Sequence, residues 1–510
     1  IFEEQFLIYR GLTRPSKGLW LTYAANDAEG RELSPSSLIE RLQRLDEDLQ
    51  IEPMPAFDLE ETAPAAVFHL LGGEMRKATA ETPLSPLWQD IYGFFDENSQ
   101  WQKRLSLLKQ GIGKTAKPER LSPKTAKALY GKNIFSSVSR LERFAGCPFS
   151  FFAEYGLKAE ERRLYQLNTP DLGSLFHEVL ELFSNKLEQD SLPWTSLTKE
   201  ETTARIHAAV EDAAPRLGNR ILLDSAANQY LIRRLKRIST RAAWTLVQHL
   251  QQGDFVPAGY EVGFGAHEAL PPIVIRLQDG GSLILNGKID RVDLLDANGT
   301  RYVKIIDYKS GNKTFHFQDI YYGLQLQLLV YLDAYLKYYK KTGASFKPGG
   351  VFYFRITDPT LALDEELSAE AIEKILYEKM RMSGLLLQED VLIHGLDHSL
   401  AKSRSSAIVP VGYTKKGDPT AASNLATEEQ YAAILDFVAT RTQEIGDAMK
   451  AGIITPAPYR DGQRTPCSYC SYRSLCRHSY GEAPRWRKLK KIDKADFWES
   501  ITPKQPTETE

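Results

Sequence analysis

The chain has 510 residues, enough for two to four domains with substantial cores. Its 42% apolar and 25% charged residues are ordinary globular values, which excludes a disordered polyelectrolyte. The formal net charge of −2 announces no polyanion partner, although Lys and Arg can still be concentrated in one channel. No apolar run is long enough to cross a bilayer and no secretory signal opens the chain, so a cytoplasmic protein without a membrane partner is expected. The opening at Ile1 reads like the middle of a domain, so a piece of a longer protein is expected.

Residues 1–25 read as an amphipathic helix broken at Pro15, followed by a half-buried strand over 18–23. Over 34–129 helical patterns alternate with joints at Pro53, Pro55, Pro64, Pro83 and Pro86, with a soft boundary near 118–123. From Ser137 a helix runs into Cys147-Pro148, and Phe149, Phe151, Phe152 and Tyr155 form an aromatic patch. Residues 172–187 carry Phe176, Val179, Leu180, Phe183 and Leu187 at helical spacing, and a further helical stretch covers 204–252. Strands are expected at 260–264, 273–277, 282–295 and 301–308, a long helix at 319–339 and a strand at 350–356. The rest reads as mostly helical up to a cysteine cluster, and the last dozen residues are polar and expected to be disordered. There is no internal repeat.

The main chemical signal is a hairpin. Asn298-Gly299 is the preferred dipeptide of a two-residue type I′ turn. With that turn Asp290 lies directly opposite Asp307, their Cβ atoms roughly 4.5–5.5 Å apart on one face. Lys309, two residues beyond Asp307, points the same way, and Val292, Leu294, Val303 and Ile305 share the face as core. Two carboxylates and an amine at the end of an apolar face suit a Mg²⁺ or Mn²⁺ site that activates water against a phosphodiester. An isolated D-x-K is more often a solvated strand end, and Asp290 could pair with Lys288 or Arg291. The hairpin geometry shifts the balance.

Gly287-Lys-Ile-Asp290-Arg-Val-Asp293 followed by Ile305-Ile-Asp307-Tyr-Lys309 resembles the PD-(D/E)XK nuclease domain of the RecB type. That family places a G-x-x-x-H helix before the hairpin and a Q-h-x-x-Y helix after it. Gly173 to His177 and Gln327 to Tyr331 stand here in that order. The resemblance implies that His177, Asp290 and Asp307 hold the metal with the backbone carbonyl of Tyr308, and that Lys309, Asp290 and Asp307 are catalytic. It also implies that Gln327 and Tyr331 contact the site or the DNA. Read alone, His177 would be a core-edge histidine beside Glu178 and Glu181, and Gln327 and Tyr331 a helix's polar edge. Glu261, on the strand before the hairpin, is a weaker candidate for a further acidic position.

Cys147, Cys467, Cys470 and Cys476 are every cysteine in the chain, and their spacing is not that of a secreted disulfide framework. Four thiolates suit zinc or an iron–sulfur cluster, and spacing alone does not choose. One cysteine before the nuclease elements and three after them resembles the AddB family of helicase–nuclease subunits. That resemblance implies a [4Fe-4S] cluster pinning the two ends of the nuclease domain. It also implies a second, AddA-like helicase–nuclease subunit as partner, single-stranded DNA as substrate, and a place in recombinational repair of double-strand breaks.

The opening stretch, Glu3 to Arg14, resembles motif VI of superfamily 1 helicases, with Arg14 at the position that reaches nucleotide phosphate. Gly111-Ile-Gly113-Lys114-Thr115 is not a P-loop, because Leu108 stands where that motif needs glycine. No ATPase activity is expected from this chain alone. The expected fold is α/β: a restriction-endonuclease-like mixed sheet flanked by helices, with a helical connector and the remnant of a RecA-like domain. The expected domains are 1–30 as the end of a helicase-like domain, 31–134 as connector, 135–480 as nuclease and 481–510 as a basic tail. A stretch over 485–491 could touch DNA or be a solvated tail. A non-catalytic DNA-binding scaffold and a stand-alone nuclease are the rival readings.

Overall fold

The computed structural model describes residues 2–26, 32–46, 48–52, 62–78, 82–112, 120–160, 169–216, 226–361, 367–476, 478 and 486–502. The chain divides into two compact units, Ile1–Gly113 and Lys114–Glu510.

The first unit carries α1 (Phe2–Thr13), α2 (Ser37–Leu45), α3 (Pro64–Lys77), α4 (Pro86–Glu97) and α5 (Ser99–Ile112). Pro64 and Pro86 open their helices, where a missing N–H costs nothing. Val67, Leu71, Phe95, Trp101 and Leu105 close a small core between α3, α4 and α5. The strand expected over 18–23 is not formed. Its residues have no partner strand among the described residues, and Trp20 is 82% exposed. Arg14 follows α1 and is exposed.

The second unit begins with α6 (Pro123–Tyr130), β1 (Asn133–Ser136), α7 (Val138–Gly146), α8 (Pro148–Phe151), α9 (Thr169–Gln189), α10 (Lys199–Ala213) and α11 (Ala226–Gln251). Then come β2 (Val256–Phe264), β3 (Ile273–Arg276), β4 (Ser282–Leu285), β5 (Gly287–Ala297), β6 (Thr300–Lys309), α12 (Phe317–Tyr321), α13 (Gln327–Lys341) and β7 (Phe346–Arg355). It ends with α14 (Ala369–Lys379), β8 (Ser383–Leu387), α15 (Asp390–Leu396), β9 (Leu425–Ala426), α16 (Glu428–Lys450), β10 (Tyr459–Arg460), α17 (Arg473–Cys476), β11 (Arg487–Lys488) and α18 (Lys494–Ile501). A mixed six-stranded sheet in the order β2-β5-β6-β7-β8-β9 forms the centre, with a smaller sheet β1-β4-β3 beside it. Helices cover the large sheet, so the α/β reading with a mixed, helix-flanked sheet stands.

Three further expectations are corrected. The strand expected over 282–295 is two strands broken at Asn286, one in each sheet, because β4 pairs with β1 and β3 while β5 pairs with β2 and β6. The helix expected over 319–339 is broken at Gly323, whose φ of 74° cannot continue a helix, so Gln327 opens α13. The tail from 487 to 501 is docked in part. β11 pairs with β10, and α18 places Phe497 and Trp498 in the main core. Residues 503–510, which include most of the segment expected to be disordered, and Arg485 lie outside the described residues, as do Gly113, Lys114 and Thr115.

Candidate metal centre and cysteine set

The hairpin register runs Arg291↔Ile306, Val292↔Ile305 and on to Ala297↔Thr300, with Asn298 and Gly299 at φ 52° and 73° in the turn. Continued by one residue, that register sets Asp290 opposite Asp307. On its other side β5 pairs with β2 through Tyr260↔Arg291 and Val262↔Ile289, which sets Glu261 opposite Asp290. Three carboxylates therefore stand in a row across three neighbouring strands. Glu261 holds a left-handed φ of 45°, a strained backbone for a residue with a Cβ.

His177 reaches this row from α9. Its Nδ1 is 3.4 Å from Asp290 and 3.7 Å from Glu261, and its Nε2 is 3.0 Å from the Tyr308 carbonyl oxygen. His177, Glu261 and Asp290 form a group whose ligand atoms all lie within 4.8 Å of one another. Asp307 stands outside that tight group. Its oxygens are buried and receive no well-aligned hydrogen bond, although Lys309 Nζ is 2.5 Å from Oδ2. The Tyr308 N–H donates to Asp290 Oδ2 at 2.6 Å.

The motif glycines have steric reasons. A Cβ on Gly173 would lie 3.1 Å from Ser310 Oγ, so the glycine lets α9 close on the end of β6. A Cβ on Gly287 would lie 2.7 Å from the Phe264 ring and 3.2 Å from Tyr331 Oη.

Burial and the neighbouring Asp290 carboxylate push the Asp307 carboxyl well above the usual carboxylate range. Burial disfavours a charged His177, yet the Asp290 and Glu261 carboxylates outweigh it and raise the imidazole to about 10. Burial also opposes the charge on Lys309, but Asp307 beside it holds the ammonium protonated. Lys288 also approaches Glu261, at 4.0 Å, so it is Asp307 that is left poorly satisfied, and the hard oxygen donors with one imidazole fit a Mg²⁺- or Mn²⁺-type cation.

Lys309 Nζ donates to Gln327 Oε1 at 3.3 Å, and Gln327 Nε2 donates to Tyr331 Oη at 3.3 Å. Glu142 of α7 anchors this relay. Its Oε1 accepts from the Leu326 and Gln327 N–H groups at 2.8 and 3.1 Å, and its Oε2 pairs with Lys313 at 3.1 Å. Nothing in the spacing of the chain marked Glu142. A cavity of about 660 Å³ opens from His177 and Glu261 along α9 past Gly173, Glu178 and Asn185, with Arg216 at its edge.

The cysteines are free of disulfides. Cys470 Sγ lies 3.9 Å from Ser150 Oγ, three residues after Cys147, and Tyr472 Oη donates to the Ala159 carbonyl at 2.9 Å. Arg464 grips Asp319 of α12 through two hydrogen bonds of 2.8 and 2.6 Å. Arg487 donates to the Ala145 and Gly146 carbonyls, the latter at 3.1 Å, and to Ala457 at 2.8 Å. Arg487 is therefore committed to the end of α7 and is not free for DNA. Burial first, with Cys467 nearby, pushes the Cys147 thiol up. Among the described residues the four sulfurs do not form a group whose ligand atoms all lie within 4.8 Å.

The geometry matches a known class. The family model of the PD-(D/E)XK nuclease superfamily matches residues 136–477, and the chain belongs to that superfamily. The resemblance to AddB is borne out as well. The model described as "ATP-dependent helicase/deoxyribonuclease AddB fifth domain" matches residues 62–111, inside the region read as connector. A curated relative from Alkaliphilus oremlandii, named as a subunit of an ATP-dependent helicase/deoxyribonuclease, is 39% identical over 509 residues, 98% of this chain and 44% of the relative. Proteins of the same name from Thermoanaerobacter sp. and Anoxybacillus flavithermus are 35% and 34% identical, over 98% and 97% of this chain and 44% of each relative. The chain spans about 44% of the length of these curated relatives. No described helix is long and apolar enough to cross a membrane.

Proposed function

We propose that the chain is the nuclease-bearing part of a helicase–nuclease subunit and hydrolyses phosphodiester bonds of single-stranded DNA with Mg²⁺ or Mn²⁺. The observation that carries this is the row Glu261, Asp290 and Asp307 beside His177, with Lys309 2.5 Å from Asp307. His177, Asp290, Asp307 and the Tyr308 carbonyl would hold the cation, joined by Glu261. When bound, the cation supplies an acidified water and offsets charge on the scissile phosphate.

The chain's own residues do the rest. Glu178, Glu181 and Glu261 line the cavity along α9, so a phosphate is drawn in where positive charge offsets them. Lys309, held protonated, stabilises charge on the phosphate and orients the attacking water rather than taking its proton. Gln327 and Tyr331 hold the Lys309 amine at its angle, and Glu142 fixes Gln327. Under this reading the partner is a second, AddA-like subunit, residues 1–30 with Arg14 close a helicase-like domain, and the setting is repair of double-strand breaks in the cytoplasm.

The test is degradation of end-labelled single-stranded DNA. Wild type should cut with Mg²⁺ and not with chelator. Asp307→Ala and Lys309→Ala should each lose about a thousandfold or more in rate with the fold intact. Near wild-type cutting by both variants ends the nuclease reading.

The cysteine set is read as holding a [4Fe-4S] cluster. What supports a shared four-thiolate site is the approach of Cys470 to Ser150, which brings the downstream trio to the segment that carries Cys147. Anaerobically purified protein should be brown, and Cys147→Ala should lose iron as fully as Cys470→Ala. Stoichiometric zinc without visible absorbance contradicts this.

A further inference from the structure

A second cavity, of about 530 Å³, lies between α10, α11 and α14. It is on the other side of the large sheet from Lys309. Tyr308 pairs with Phe354, so both project to the pleat opposite Asp307 and Lys309. His249 of α11 packs edge-on against Phe354 at 6.0 Å and against Tyr377 of α14 at 5.4 Å. The helices that wall the cavity therefore cover that opposite face.

The walls carry Arg233, Lys236, Arg237 and Arg241 from α11, Lys199 from α10 and Lys374 from α14. The α11 cations recur at spacings of three and four residues and share one helix face. Asp358 holds Arg237 at 2.8 Å and Arg241 at 3.1 Å, and Glu211 holds Lys236 at 2.6 Å. Glu373 lies 3.8 Å from Lys199 and 3.9 Å from Arg241. Among the described residues no carboxylate pairs with Arg233 or Lys374. Six cations thus face three carboxylates, with two arginines already held in orientation.

Inside the cavity Trp244 presents a half-buried ring, and Thr240 Oγ1 and Tyr377 Oη are buried without a hydrogen-bond partner. Guanidinium groups suit phosphate, an indole face suits a stacked base, and unpaired hydroxyls suit a sugar or base edge. The volume lies within the range of small-molecule sites, about 300–1,000 Å³. We propose that this cavity binds a nucleoside monophosphate unit, as a free nucleotide or as one residue of a DNA strand.

The test uses the full chain with metals chelated, so it stands or falls apart from the nuclease reading. Calorimetry is run with dTMP, with a twelve-residue oligothymidylate and with inorganic phosphate. Arg233→Glu and Lys374→Glu, both exposed, should weaken binding by about tenfold or more at unchanged melting temperature. Loss of dTMP binding in the variants identifies a free-nucleotide site, and loss only for the oligonucleotide identifies a strand site. As a measure independent of the variants, the better-bound ligand should slow hydrogen exchange over α11 and α14 of the wild type. Unchanged affinities for both ligands, no protection of those helices, or phosphate binding as tightly as dTMP overturns the proposal.

Discussion

The two faces of the β5–β6 hairpin bury charges within a few ångströms of each other and treat them in opposite ways. On the face toward α11, Arg291 donates two hydrogen bonds to Asp293, at 2.6 and 3.1 Å, and Lys304 adds an ion pair at 2.9 Å. The excess positive charge there meets ring faces: Arg291 lies 4.6 Å from the centroid of Trp194 and Lys304 4.5 Å from that of Phe255. Burial works against the Asp293 carboxylate, yet Arg291 and Lys304 outweigh it and hold its pKa down. The nearby His249, fully enclosed and beside the same two cations, is pushed down to about 3 and stays neutral. The buried cations on that face have a carboxylate and ring faces to meet them, although Arg291 Nη1, Tyr308 Oη and both His249 ring nitrogens have no hydrogen-bond partner. On the opposite face Glu261, Asp290 and Asp307 stand in one row, met by His177, by Lys309 at Asp307 and by Lys288 4.0 Å from Glu261, and Asp307 accepts no well-formed hydrogen bond. Alternate residues of the same strands thus make one charge cluster that holds the fold and one that waits for a cation.

Breaking the closed cluster should cost most. Asp293→Asn leaves Arg291 and Lys304 buried without their counter-ion and should lose about 3–5 kcal/mol of stability, read from the denaturant midpoint. A midpoint within experimental error of wild type would mean that this face does not hold the hairpin together.

The open cluster should respond in the other direction. Because folding raises the pKa of Asp307, its ionised form opposes folding. That penalty is absent at acid pH, grows as pH rises above the unfolded value of about 4, and is complete once pH passes the raised folded value. In chelator at neutral pH, Asp307→Asn should therefore melt a few degrees above wild type, by about 2–4 °C for each kcal/mol recovered. The gain should shrink toward acid pH and vanish when Mg²⁺ is added to wild type. A variant that melts below wild type in chelator would show that the carboxylate is already well satisfied.

The same contrast explains what the amino-acid sequence disclosed. The Asn298-Gly299 turn fixes the register locally, so the opposition of Asp290 and Asp307 could be read from residue numbers alone. Glu261 could be placed only weakly, because its position depends on a third strand whose register shifts between Pro257 and Gly259. Arg291 could be read only as a possible partner of Asp290, whereas it and Lys304 pair with Asp293. Only the covering of that face by α11 and Trp194 shows them to be enclosed. Glu142 was invisible for a similar reason, since its partners are backbone N–H groups 184 and 185 residues away. The strand expected over 18–23 failed because alternation marks a surface able to pair, not the presence of a partner.

The central claim, that the open face is a cation site, is tested most directly by titrating metal-stripped protein with Mn²⁺ and following free Mn²⁺ by electron paramagnetic resonance. Wild type should bind saturably. Asp290→Asn should bind at least about tenfold more weakly with its fold intact. Asp296→Asn, an exposed carboxylate paired with Arg301 at the far end of the hairpin, should bind like wild type. Wild type that takes up no Mn²⁺, or Asp290→Asn that binds as tightly as wild type, would contradict the account.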